Sequence, residues 1–524
     1  MFLEAGPFRG MRDSLDPTSA DDRLAFLLQN VYPLDAARAS AVAGRPGFTQ
    51  AGSQLGSSGK RTGQLLYQFT KLSGTEITVA IVGGQFYTYD WGSDTWTESV
   101  TAANFSTASI TLSQTAHCYA VTFANTMVIT DGVNTPFTWD GTAGAGGLVK
   151  LTNCPALYGK PTVYYAKLFG IKNTARSTIV WSEENDPTSG YDSGSFTNSW
   201  QLGQTDQEPL YAVVGTNGAL YYFRGRSTGV ISGAVNADFV TAGVHDAVSG
   251  TVGTQSPGSP VYYEGRIYFV DANWKPRVIV PGSGVDDEMW GDVQETVIGL
   301  DRQYVSTAVG VYDASTQQVL QGVVELGQTF PSLQIAIDPT QGAGQVSGLW
   351  RGFTFHEMAL VKNASGEPVL MHLSSDGYAY AHGQPDGSSW DDELNAGTQA
   401  IQHIVEPSPM GGDVSIEKRF DRMDIELRTQ SDMTGLSVGY ETTRGRSVAQ
   451  SVPSLSGDLS RFDVAVWDTD VWSVSSTNQH VAIGLNSQGR WIKPIVQHET
   501  LGEQFGLGQV RVVAQPLNNA PGNP

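Results

Sequence analysis

Eight histidines are the side chains best suited to acid–base work or metal ligation, and they are scattered: His117, His245, His356, His372, His382, His403, His480 and His498. No two stand at the i, i+2 or i, i+4 spacing that presents a metal pair from one strand or helix. Ordinary surface and strand-end positions account for them, and no metal or cofactor is expected. No nucleophile elbow, the strand-to-helix turn that exposes a catalytic serine, and no phosphate-cradling loop is expected either. The Gly-rich run Gly141–Gly147 follows a turn and opens no helix, so it lacks the helix N-terminus behind a phosphate cradle.

Carboxylates are plentiful, including Glu183, Glu184, Asp286, Asp287 and Glu288. Glycoside hydrolysis needs two at a controlled separation, and sequence alone does not pair these. Thr88-Tyr89-Asp90-Trp91-Gly92-Ser93-Asp94-Thr95-Trp96 resembles the Asp-box turn of sialidase-like propellers, with an extra residue between Gly and Thr. In such a turn Asp accepts backbone N–H groups and Trp packs between strands, so even a true box is structural. The doubled Arg-Gly-Arg, Arg224–Arg226 and Arg444–Arg446, offers cations to phosphates or to a neighbouring subunit; a solvated turn is the simpler reading. The aromatic-rich stretch from Tyr191 to Trp200 and any open strand edges are candidates for subunit contact.

The elements that position these residues read as strands. Runs of apolar residues end repeatedly in an aromatic-plus-Asp or Asn-Gly turn: Val79–Val82 to Tyr89-Asp90, Met127–Thr130 to Trp139-Asp140, Ile179–Trp181, Tyr211–Val214 to Asn217-Gly218, Ile267–Asp271, Val309–Asp313, and Val369–His372 to Asp376-Gly377. A degenerate recurrence of this kind predicts a β-propeller, whose blades are four-stranded sheets of roughly 40 to 50 residues each. The spacing is uneven, which predicts six or seven irregular blades over residues 64–400. Residues 1–63 read as a leader and interface segment with one short helix. Thr18 or Ser19 would cap it, Asp21 and Asp22 would sit in its first turn, Leu24, Leu27 and Leu28 would share a face, and Pro33 would end it. Residues 401–517 change character. Lys418–Arg428 alternates, with Phe420, Met423 or Ile425, and Leu427 inward. Leu436–Tyr440, Phe462–Trp467, His480–Leu485 and Val510–Val513 follow as strands, with turns at Gly445, Gly457 and Asn486–Gly489. The pattern is that of a β-sandwich. The tail, residues 518–524, reads as flexible.

At 524 residues with 60 Gly and 16% charged side chains, the chain fits an all-β protein of short strands and tight turns. Its net charge of −21 argues against a phosphate-gripping groove and against anionic membranes. Cys118 and Cys154 have neither metal spacing nor a disulfide framework and read as free thiols. No apolar run reaches the roughly 18 residues of a membrane helix, and Met1–Pro7 lacks the basic and apolar regions of a signal peptide. Synthesis in a cytoplasm without signal-driven export is expected.

The leader, with Gly10-Met11-Arg12, Gln29-Asn30-Val31 and Arg45-Pro46-Gly47-Phe48, resembles the start of β-propeller nozzle or hub proteins of short-tailed bacteriophages. Val180–Pro187, Leu210–Arg224, Gly253–Pro257 and Tyr262–Asp271 are similar to that family's middle in the same order. Ile483–Leu485, Gly489–Trp491, Glu503–Leu507 and Val510–Val513 are similar to its end. The resemblance covers most of the chain through motifs that are each short. It implies a structural virion protein, six copies of which ring the DNA exit channel below the portal and adaptor, meet tail fibres or spikes, and serve genome retention and ejection. It brings no catalytic residue. On that reading Arg12, Arg45, Phe48, Arg224, Arg226, Arg444 and Arg446 are the expected interface residues. Asp286, Asp287, Glu288, Asp391, Asp392 and Glu393 are the expected acidic residues of the lumen or loop surfaces. The competing readings are a propeller glycosidase and a receptor-binding propeller acting on host glycans.

Overall fold

The computed structural model describes residues 1–13, 23–34, 41–191, 198–202, 208–233, 244–282, 284–286, 288–342, 344–383, 391–394, 397–411, 414–428, 433–447, 450–452 and 478–517. Among these residues seven antiparallel sheets follow one another as blades. Blades 1 to 6 span 63–100, 119–150, 157–201, 210–249, 261–286 and 309–351, and blade 7 spans 357–382. The recurrence in the sequence contributes one strand to each blade. It falls on the second strand of blades 1, 2, 5 and 7, the first of blades 4 and 6 and the third of blade 3, which is why its spacing is uneven.

Every blade has both faces covered by neighbours, so its middle strands are apolar on both sides. In the strand Glu76–Val82, Val79 and Ile81 pack with Met127, Ile129 and Trp139 of blade 2, while Ala80 and Val82 pack with Met371 and Leu373 of blade 7. The same division recurs at each junction, and apolar clusters lie between successive blades all round the ring. Such two-sided burial is the chief stabilising term, at roughly 25 cal/mol per Å² of apolar surface removed from water.

The ring closes with a strand from the other end of the chain. Phe48–Gln50 pairs antiparallel with Ala379–His382 as the fourth strand of blade 7, and Asp391–Leu394 and Gly397–Ala400 extend the sheet beyond it. Phe48 is 1% exposed, against Phe353, Tyr380 and His382. The rest of the leader is woven into the C-terminal unit. Phe2–Ala5 pairs with Gly506–Pro516, and Val42–Gly44 joins the same sheet. Leu24–Gln29 lies between His403–Pro407 and the last strand of blade 6.

Two sheets therefore face each other in the C-terminal unit. One contains Lys418–Arg428, Asn478–Gly489 and Gly506–Pro516; the other contains His403–Pro407, Leu436–Thr442 and Ile492–His498, and continues into blade 6. Their inner residues share one core, with Phe420, Met423, Ile425, Leu427, Val510 and Val512 packed with Leu28, Val405, Val438 and Val496. A register shift between Phe420 and Arg422 moves the inward set by one residue, so Phe420 and Met423 both point inward despite their odd spacing.

Two expectations are corrected. Leu24, Leu27 and Leu28 belong to a strand, not a helix. A run such as Leu-Ala-Phe-Leu-Leu suits either state, and pairing with His403–Pro407 decides it; Thr18, Ser19, Asp21 and Asp22 lie outside the described residues. Asn486–Gly489 ends a long strand rather than forming the turn, which falls at Arg490 and Trp491. Phe462–Trp467, Gly457 and residues 518–524 lie outside the described residues.

Candidate functional site

Three places gather polar chemistry: the channel mouth, a buried knot beside blade 7, and a cleft on the rim. The innermost strands come together so closely at the axis that a Cβ on Gly310 would stand 2.3 Å from the Ser259 carbonyl oxygen. What remains is a cavity of about 220 Å³ lined by Leu65, Tyr67, Tyr119, Lys160, Glu357 and Met358, among others. With about 30 Å³ per liquid water, it admits a few small molecules.

At this mouth His117 Nε2 stands 2.7 Å from Glu357 Oε2. The His117 ring stacks at 4.9 Å on His356 and lies 4.5 Å from Tyr119. Burial, helped by His117, pushes His356 down to about 3. Burial, with Glu357 next, pushes the Tyr119 phenol up. Lys160 still meets water, but the crowding wall lowers its pKa while Glu357 pulls it back up. The group ties blade 2 to blade 7. Among the described residues no three His, Cys, Asp or Glu side chains converge as a metal-binding group.

The knot centres on Arg45, whose side chain is fully buried. Its guanidinium grips both carboxylate oxygens of Asp392, with Nη1 at 2.8 Å from Oδ1 and Nη2 on Oδ2. Nε donates to Asn30 Oδ1 at 3.1 Å, and the remaining N–H groups reach the Pro46 and Arg351 carbonyls. His372 and His382 stand 4.3 Å apart beside it, and neither nitrogen of His382 has a hydrogen-bond partner among the described residues. Burial, with Arg45 adding to it, pushes His372 down to about 3 and His382 well below its usual range.

The expected site residues separate on this geometry. Arg45 and Phe48, expected at an interface, and Asp392, expected on a lumen or loop surface, are instead internal. A cation beside a proline-glycine turn reads as surface in sequence, but its partner lies 347 positions away. Arg224 is also buried, at 8% exposure. Arg12 is half-exposed and paired with Asp292 at 3.0 Å. Arg226, Arg444 and Arg446 are exposed, and Arg444 binds Glu417. Asp391 accepts the Gly502 N–H at 2.8 Å, Glu393 is exposed, and Asp286 is half-buried. Asp287 and the Glu288 side chain lie outside the described residues.

The Asp-box-like segment is a hairpin turn: Asp90 accepts from Gly92 N–H at 2.9 Å and from the Ser93 hydroxyl at 2.7 Å, and Trp96 donates to the Ala51 carbonyl. Asp131, Asp140, Asp271, Asp313 and Asp338 repeat this side-chain-to-backbone closure, so the aromatic-Asp signal marks hairpin ends. Gly225-Arg226-Ser227-Thr228-Gly229 does fit the letters of a nucleophile elbow. It joins two antiparallel strands of blade 4 with no helix behind it, and the Ser227 hydroxyl binds Glu208. Both cysteines are free and buried, and burial raises both thiols.

Sequence reasoning did not foresee the rim cleft between blades 7 and 1, of about 520 Å³. Tyr89 and Trp91 from blade 1, Asn363 from blade 7, and Gln50 and Glu393 from its outer edge line it, with Asp94. Its only legible signal was the aromatic pair of the Asp-box-like turn.

No protein-family model and no curated protein matches the chain. Solved structures match it partially. The extracellular domain of a hybrid two component system, BT4673, from B. thetaiotaomicron is 8% identical with a TM-score of 0.39, and the match spans 64% of this chain and 39% of that one. BamB from Moraxella catarrhalis is 10% identical over 67% of this chain and 95% of its own, with a TM-score of 0.37. The Pan2 WD40 domain of Neurospora crassa is 7% identical over 64% and 95%, with a TM-score of 0.37.

Proposed function

We propose that this chain is a structural wall protein of a short-tailed phage tail. Six copies form a ring around the DNA exit channel below the portal and adaptor, and the ring takes part in genome retention and ejection. The observation that carries the reading is the weave of the fold. The leader closes the propeller and enters both sheets of the sandwich, and one sheet runs from blade 6 into that sandwich. Such strand sharing ties the two units together, which suits a wall that holds packaged DNA. The ordered series of motifs shared with nozzle and hub proteins supports the same reading.

The conduit in this reading lies between copies. The cavity of about 220 Å³ on the propeller axis is far too small for a duplex, whose major groove alone is about 12 Å wide. A surface of net charge −21 repels phosphates and leaves DNA free to slide. A closed ring needs two different patches per subunit. Arg226, Arg444 and Arg446 are exposed cations for one of them, and acidic loops of a neighbour would supply the other.

Quantitative mass spectrometry of purified particles tests the assignment, with six copies per tail expected. A chain absent from particles, or a soluble monomer that releases sugar from a glycan, would overturn it.

A further inference from the structure

The rim cleft between blades 7 and 1 has the make-up of a ligand site, and nothing in the wall reading uses it. Its volume of about 520 Å³ lies within the range of small-molecule sites. Its aromatic side is locked: Trp91 donates to Thr78 Oγ1 at 3.2 Å, its ring meets Tyr89 edge-on at 4.9 Å, and Tyr89 in turn lies 4.8 Å from Trp96. The Tyr89 hydroxyl binds Asp94, fixing the second ring.

The polar side is half used. Asp94 spends Oδ1 on the Gly52 N–H at 2.9 Å and on Tyr89, which leaves Oδ2. Glu393 accepts the Gln50 N–H through Oε2 at 3.3 Å, which leaves Oε1. Asn363 Oδ1 takes two backbone N–H groups of its own turn, at 2.9 Å each, which leaves its amide N–H₂. Gln50 donates to the Gly52 carbonyl at 2.7 Å and keeps its amide oxygen. Fixed acceptors and a donor therefore surround fixed aromatic rings.

A sugar matches this set. Each hydroxyl both donates and accepts, and a pyranose turns a C–H face towards an aromatic ring while its hydroxyls point sideways. Pre-set rings and amides lower the ordering cost of binding. Among the described residues the two charged side chains lining the cleft, Asp94 and Glu393, are both carboxylates, which disfavours phosphates and acidic sugars.

We propose that this cleft binds a neutral oligosaccharide, with Trp91 and Tyr89 as the stacking platform and Asp94, Glu393, Gln50 and Asn363 as hydroxyl partners. The cleft does so whether or not the chain assembles into a ring.

The test is an array of neutral and acidic oligosaccharides, followed by titration of the best binder while tryptophan fluorescence is read. Neutral sugars bind and quench the signal. Trp91→Ala weakens binding about tenfold or more. Ser365→Arg, on the exposed lip, abolishes binding by filling the cleft while thermal melting stays at the wild-type value, which covers the case in which the tryptophan variant misfolds. Binding to acidic sugars alone, to no sugar, or with an affinity that Ser365→Arg leaves intact overturns the proposal.

Discussion

Replacing Asp392 by Asn should cost far more than removing any exposed charge of this chain. It would leave the Arg45 guanidinium buried with half of its bidentate partner gone, and breaking such a pair costs about 3–5 kcal/mol. Arg444→Ala, which removes an exposed guanidinium from Glu417 and Gln488, should cost about 1 kcal/mol or less. Urea unfolding of the two variants checks this, and equal losses would refute the burial argument. The buried histidines give a second expectation. His356 and His372 are held down to about 3, and His382 and His403 fall well below the usual value of 6.5. Folded, they stay neutral, whereas unfolded they take up protons below that value. Their stabilising contribution is therefore complete above about pH 6.5 and is lost as pH falls towards 3. Asp292, raised to about 6, and Asp391, also raised, both mainly by burial, work the other way, two groups against four. Stability should thus fall below pH 6.5, each histidine contributing roughly 1 kcal/mol per pH unit. A flat profile between pH 7 and pH 5 would contradict it. None of this was legible in sequence, because a histidine ten positions from another gives no sign that tertiary packing brings the two together out of water.

Among the elements, the Phe48–Gln50 strand matters beyond its three residues, because it completes blade 7 with chain from the N-terminal side. Phe48→Ala removes a fully buried ring and should destabilise by about 3–5 kcal/mol. Hydrogen exchange should show Pro368–Leu373 and Ala379–His382 losing protection before the middle blades. Uniform loss across all blades would mean that this strand is not the clasp. The strands themselves were legible, since Val79–Val82 and Ile267–Val270 are apolar runs bounded by turns. The leader was not. Leu24–Gln29 carries an apolar pattern that also fits a helix, and what makes it a strand is an edge supplied by His403–Pro407, nearly four hundred residues later.

At the scale of the whole molecule, seven blades and a sandwich share their strands so thoroughly that the boundary near residue 63 is one of sequence character rather than of structure. The fold class was legible because turn chemistry and apolar runs are local signals. The rim cleft was not, because its walls come from residues near 50, 90, 363 and 393, which only ring closure brings together. Ring closure also packs the propeller axis, so in the proposed assembly any DNA path lies between copies. An averaged electron-microscopy reconstruction of the tail in purified particles tests that most directly. The account predicts six propellers around one continuous lumen, with each propeller's own axis closed. DNA density threading a propeller axis, or this chain lying away from the tail axis, would contradict it.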